Sequence, residues 1–90
     1  MANRSRRQPF FAGLDVRFTE LEILVLGALK GQRKPRSSED LCDEIWRTYG
    51  ASCAAVLRRH ISNINGQLKE AGAKQRIENV RGVGYLLMEE

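Results

Sequence analysis

Four aliphatic residues, Leu57, Ile61, Ile64 and Leu68, recur at intervals of four, three and four. That spacing marks one face of an α-helix. No acidic residue occurs from Ala54 to Lys69, while Arg58, Arg59 and Lys69 do. At 100° per residue the far side carries Arg59, Ser62, Asn63 and Gly66. Arg58 and Asn65 flank that side in one direction, His60 and Gln67 in the other. Such a helix docks its apolar stripe on a core. Its opposite face, cationic and rich in hydrogen-bonding groups, is left for solvent or a partner, and the rest of the chain must fold around it.

The flanking segments supply the remaining elements. Thr19-Glu20-Leu21-Glu22 reads as a capping box that opens a helix running to about Lys30 and stopped by Gly31. Its apolar residues Leu21, Ile23, Leu24, Val25, Leu26, Ala28 and Leu29 cover most of the circumference, which predicts a central helix packed on several sides. Ser37 begins a second helix, with Glu39 and Asp40 in the first turn where the helix dipole favours anions. Leu41 and Ile45, joined by Cys42 and Trp46, form its inner face, and Gly50 is expected to end it. The third helix is expected from near Ser52 to Glu70 or Ala71, with Gly72 as terminator.

Arg76–Val80 and Tyr85–Met88 flank a glycine-containing link and read as a β-hairpin with Arg81 at its tip. At the other end, Leu14–Phe18 alternates as a half-buried strand does, and Gly13 is a turn towards a second strand at Pro9–Ala12. Met1–Gln8 is an arginine-rich stretch without periodicity, expected to be a flexible basic arm. Three helices followed by a hairpin is the order of a winged helix-turn-helix. The expected class is α+β, with a C-terminal hairpin wing and a short N-terminal strand pair. The arm occupies residues 1–8 and the single domain residues 9–90.

Fifteen basic against eleven acidic residues give a net charge of +4. Arg4, Arg6 and Arg7 lie in the arm, and Lys30, Arg33, Lys34 and Arg36 form a second cluster. The acids gather at Glu39, Asp40, Asp43 and Glu44. This polarity permits a polyanion partner. No apolar run approaches the ~20 residues that cross a bilayer, so no membrane partner and a cytoplasmic location are expected. Cys42 and Cys53 make no disulfide framework and read as reduced thiols. Together with His60, the one histidine, they fall short of the four ligands of a structural zinc site. No metal, no cofactor and no enzymatic activity are expected.

An α-helix fits the major groove of duplex DNA, where arginine pairs with guanine and asparagine with adenine. An arginine at a hairpin tip can enter a minor groove, where the potential is negative. The competing explanation of the helix face is plain solvation, which describes most surface helices. Gly66 stays open between a close backbone approach to a phosphate and mere tolerance.

Four stretches resemble the effector domain of OmpR/PhoB-type response regulators. They are Phe18-Thr19-x-x-Glu22-Ile23-x-x-Leu26-x-x-Leu29, Ser37-x-x-x-Leu41-x-x-x-Ile45-Trp46, His60-Ile61-Ser62-x-Ile64-x-x-x-Leu68, and Ile77-x-x-Val80-Arg81-Gly82-Val83-Gly84-Tyr85-x-Leu87. The resemblance covers about Leu14 to Leu87. It implies a sequence-specific, double-stranded DNA-binding transcriptional regulator of bacterial type, acting at the nucleoid. Base reading then falls on Arg58, Ser62 and Asn63, with Arg59 beside them. Backbone contacts fall on Asn65, Gly66, Lys69, Lys34 and Asn79, and the minor-groove contact on Arg81. The loop Arg47, Thr48, Tyr49, Gly50, Ala51 and Ser52 matches the segment that touches RNA polymerase, and a second copy of the chain is a further partner on DNA.

Three departures accompany the match. Asn63 and Asn65 stand where the family usually has arginines, and Arg58 where it often has an aspartate. The residues before the first helix leave room for a shortened sheet only. No receiver domain is present in the sequence, so a standalone effector is expected. Two other readings compete: an adaptor that binds RNA polymerase or another regulator, and a non-specific architectural DNA binder.

Overall fold

The structure is a computed structural model and describes residues 16–48 and 50–88. Its elements are α1 (Glu20–Leu29), α2 (Ser38–Trp46), α3 (Ala51–Glu70), β1 (Arg76–Val80) and β2 (Gly84–Met88). The two strands pair antiparallel, with Ile77 opposite Leu87 and Asn79 opposite Tyr85. This is the expected winged helix. The arm and most of the expected N-terminal strand pair lie outside the described residues. The described part, Val16–Phe18, is not a strand. Val16 and Phe18 are buried and Arg17 is exposed, as the alternation predicts. A strand also needs a ladder partner. Here the Arg17 N–H instead donates to the Gln67 side-chain oxygen at 2.8 Å, tying this segment to α3.

Local signals start the helices. Thr19 Oγ1 accepts from the Glu22 N–H, and Glu22 Oε1 accepts from the Thr19 N–H, completing the capping box. Ser37 Oγ accepts from the Asp40 N–H at 3.0 Å and caps α2. The end of α2 differs from expectation. Arg47, not Gly50, closes it, in the left-handed conformation at φ 61° with its N–H donating to the Asp43 carbonyl. Gly50 instead stands at the N-cap of α3. Helix α3 ends in a Schellman closure: the Ala73 N–H donates to Leu68 O and the Gly72 N–H to Lys69 O, with Gly72 at φ 78°.

Leu26, Leu29, Leu41, Leu57, Ile64 and Leu68 are fully buried and form the centre of the core, which the hairpin closes with Ile77, Tyr85 and Leu87. Helix α1 packs against α2, α3 and β2, as its wide apolar surface predicts. One side of it stays open, however, and Leu24 is 52% exposed.

The second basic cluster is smaller than its sequence implies. Arg36 is only 18% exposed and pairs with Asp40 at 2.8 Å and Glu44 at 2.7 Å, while its Nη1 also donates to the Ala28 carbonyl. The Arg36 charge is therefore offset by two of the acids, both about half exposed, and is not offered to a partner. The Arg36 backbone forms a two-way bridge with Tyr85 of β2, at 2.9 and 2.8 Å. The hairpin is thus anchored to the α1–α2 connection.

The Arg36 hydrogen bond holds the Asp40 carboxyl below its ordinary value of 3.8, more strongly than desolvation raises it. The folded-state value lies below the unfolded one. The pair therefore stabilises fully above 3.8 and loses that contribution as pH falls through the lowered value. Urea midpoints of the wild type and Asp40→Asn are expected to differ at neutral pH and to converge on acidification. A constant gap would show that the carboxylate charge is immaterial.

Candidate nucleic-acid interface

The stripe read from the sequence is the buried side of α3: Leu57, Ile61, Ile64 and Leu68 all face the core. The opposite side is open. Arg58, Arg59, Ser62, Asn63, Gly66 and Lys69 are exposed on one helix. A Cβ added at Gly66 would meet nothing within 4 Å, so no internal packing requires glycine there. Val56 is a further exposed residue near this face, at 44%.

Besides the Arg17–Gln67 bond, two contacts fix the helix to its surroundings, and periodicity revealed neither. On the wing side, Asn65 Nδ2 donates to the Ile77 carbonyl at 2.9 Å, and the Ile77 N–H donates to Asn65 Oδ1 at 2.8 Å. The Asn65 amide thus acts as one more rung along the free edge of β1. It carries an internal role that the assignment to a phosphate contact did not include. On the α2 side, His60 stacks on Trp46 with ring centroids 6.3 Å apart. His60 Nδ1 is buried and lies 3.6 Å from Glu22 Oε2, whose residue is only 3% exposed. Trp46, His60 and Glu22 therefore join α2, α3 and α1 behind the open face.

The hairpin places Arg81, Gly82 and Val83 in an exposed turn, with Val83 at 53%. Asn79 is exposed just before it. Lys34 is also exposed, but on the other side of the wing. The order across the sheet is Asn65, β1, β2, Arg36, and Lys34 precedes Arg36 by two residues. With strands ~4.8 Å apart, Lys34 flanks the outer edge of the wing rather than α3. Among the partner-loop residues, Arg47, Thr48 and Gly50 are exposed in the α2–α3 connection. Ala51 and Ser52 are exposed but helical, and Tyr49 lies outside the described residues.

The thiols are not part of this surface. Cys42 is buried, and burial followed by its neighbour Cys53 pushes its pKa up to about 12. A thiol so protonated is a poor nucleophile and metal ligand. Among the described residues no group of three or more His, Cys, Asp or Glu side chains is placed to hold a metal. No helix among them is long and apolar enough to cross a membrane.

The arrangement is an acid-free helix face held rigidly beside a hairpin that carries an arginine at its tip. The family described as "Transcriptional regulatory protein, C terminal" matches residues 13–87. The chain belongs to this family. It is an OmpR/PhoB-type DNA-binding domain of transcription regulators. Among solved structures it is similar to one titled "RitR Mutant - C128D", at 30% sequence identity and a TM-score of 0.63. That match covers 78% of this chain and 32% of the other, so the chain spans about a third of that protein's length. No curated protein matches it. The family's domain is regulatory rather than catalytic, in keeping with the expectation of no enzyme.

Proposed function

We propose that the domain binds duplex DNA sequence-specifically and regulates transcription, with α3 in a major groove and the wing arginine Arg81 in the adjacent minor groove. The observation that carries this reading is the fixed relation between α3 and the wing. The Asn65 bonds to Ile77 hold the exposed Arg59–Ser62–Asn63 surface in constant register with the hairpin. Two groove-reading elements in fixed register can select a DNA sequence as a unit. Arg58, Arg59, Ser62 and Asn63 read bases, and Lys69, Gly66, Asn79 and Lys34 contribute backbone contacts. The loop from Arg47 to Ser52, of which Arg47, Thr48, Gly50, Ala51 and Ser52 are exposed, is the surface offered to RNA polymerase. A second copy binding one helical turn away would double the footprint, and the setting is cytoplasmic, at the nucleoid.

The test is selection from a random duplex library at near-physiological salt. An enriched motif, lost in Arg81→Ala and Asn63→Ala, is the expected result. Retention without enrichment would turn the reading into an architectural one. No retention, with RNA polymerase captured through the loop from Arg47 to Ser52, would make the domain an adaptor.

Gly66 gives a sharper test of groove entry. Glycine inside a helix costs about 1 kcal/mol relative to alanine, and the added methyl meets no protein atom. Gly66→Ala is therefore expected to raise thermal stability and to weaken duplex binding at the same time. Stabilisation without loss of affinity would show that the backbone at Gly66 does not approach the nucleic acid.

A further inference from the structure

At the base of the wing, where α3 turns into β1, there is an open cleft of about 370 Å³. Lys69, Lys74 and Arg76 line it, no acidic residue does among the described residues, and Asn65 is part of its wall. All three cations are exposed. Among the described residues Arg76 has one acidic neighbour, Glu78, at 3.6 Å, and both side chains are about half exposed, so this pair is weak. The frame that carries the cations is rigid. The Schellman closure sets the chain direction after Lys69, and the Asn65–Ile77 bonds fix the start of β1.

Lys69 in the last helical turn has a local explanation, since a cation there offsets the helix dipole. Lys74 lies beyond the helix and has none, and Arg76 has only its weak pair with Glu78. Their position in the fold suggests one. The cleft sits on the seam between α3 and β1. If these two elements enter neighbouring grooves, the sugar–phosphate strand that separates those grooves runs between them, and long cationic side chains at this seam can reach towards it. Three cations line this one cleft, with the weak Glu78 pair as the acidic contact to Arg76 among the described residues, and such a surface attracts an anion.

We propose that the cleft formed by Lys69, Lys74 and Arg76 seats backbone phosphates of the bound duplex, from the strand lying between the two grooves. This deepens the DNA-binding reading and rests on it. Lys74 and Arg76 are positioning residues: they contact phosphate, set the register of α3 and carry no base preference. Glu78 opposes the contact, because Arg76 must leave it to reach a phosphate.

The test uses the full chain and the duplex enriched in the selection. The log of the binding constant is measured against the log of salt concentration for the wild type and for Lys74→Gln/Arg76→Gln. Each phosphate contact contributes about 0.9 to the slope, so the double variant is expected to bind with a slope shallower by roughly 2 and an unchanged motif. Glu78→Gln is expected to bind more tightly. Neutral methylphosphonates, substituted one phosphate at a time, should weaken the wild type at one or two seam positions and leave the double variant indifferent there. Thermal melts control for folding, and all three substitutions are at exposed positions. Tight binding with an unchanged slope overturns the proposal while leaving DNA recognition intact, and would hand the cleft to an acidic protein segment. Absence of duplex binding by the wild type overturns both readings together.

Discussion

Gly84→Ala is expected to detach the wing from the body of the domain and to destabilise it by about 3 kcal/mol or more, at the upper end of the cost of forcing atoms into a packed site. The cause is a close approach of two backbone segments. A Cβ on residue 84 would fall inside the contact distance of the Arg36 carbonyl oxygen and carbon, and 2.8 Å from the Ser37 nitrogen. These are main-chain atoms and cannot rotate away. Arg36 is also unable to retreat. Its side chain is held by Asp40, Glu44 and the Ala28 carbonyl, and its backbone by both bonds to Tyr85. Relief must come from β2, which carries Tyr85 and Leu87 into the core. Against a total stability of 5–15 kcal/mol for a typical domain, such a loss is large.

Gly82→Ala is the control. Gly82 has φ 77°, yet nothing lies within 4 Å of an added Cβ, so its cost is the ~1–2 kcal/mol of a left-handed non-glycine residue. Denaturant unfolding of both variants separates the two causes. Equal losses would mean that the Arg36–Gly84 contact yields easily and that the wing is less firmly anchored than its bonds imply.

Features set by neighbours in sequence were the legible ones. The capping box at Thr19 and Glu22, the Ser37 cap, the α3 stripe and the Gly72 terminator each depend on residues within one or two helical turns. So does the hairpin, which glycine-containing turns announce. The exposed face of α3 follows from the same periodicity, since what lies opposite a buried stripe must be outside. Features decided by distant partners, or outside the reach of helical periodicity, were not legible. Arg36 looked like one more cation of a basic loop although Asp40 is only four residues away, because it lies before the start of α2, where helical periodicity does not say which way a side chain turns. Asn65 looked like part of the outer surface because its angle on the helix lies near the boundary, and periodicity cannot say that a strand edge arrives there. Arg47 gave no sign that it would adopt a left-handed conformation, a position where glycine or asparagine is the usual choice. At Val16–Phe18 the alternation was right about burial. It could not show whether a strand would find a partner.

Asn65→Leu separates an architectural role from a ligand-binding one. The substitution keeps a side chain of similar bulk and removes both hydrogen-bonding groups. The Ile77 N–H and C=O would then lose their partners at the free edge of β1. Leaving a buried backbone group unsatisfied costs about 1–3 kcal/mol. The site is only part-buried and water can replace some of the loss, so a destabilisation of roughly 2 kcal/mol is expected. The wing would also lose its register with α3. Duplex affinity should then fall even though no base-reading residue has changed, and discrimination between the selected motif and random duplex should fall with it. A residue that only contacted phosphate would behave differently. Its loss would leave the melting temperature unchanged and weaken all duplexes equally. Asn65→Asp refines the contrast. It retains an acceptor for the Ile77 N–H and sets a carboxylate against the Ile77 carbonyl, so half of the pin survives at best. A stability order of wild type, then Asn65→Asp, then Asn65→Leu, with motif discrimination following the same order, would place the control of DNA selectivity partly in a side chain that need not touch DNA. Full stability in Asn65→Leu would return Asn65 to the phosphate-binding role that its sequence position implied.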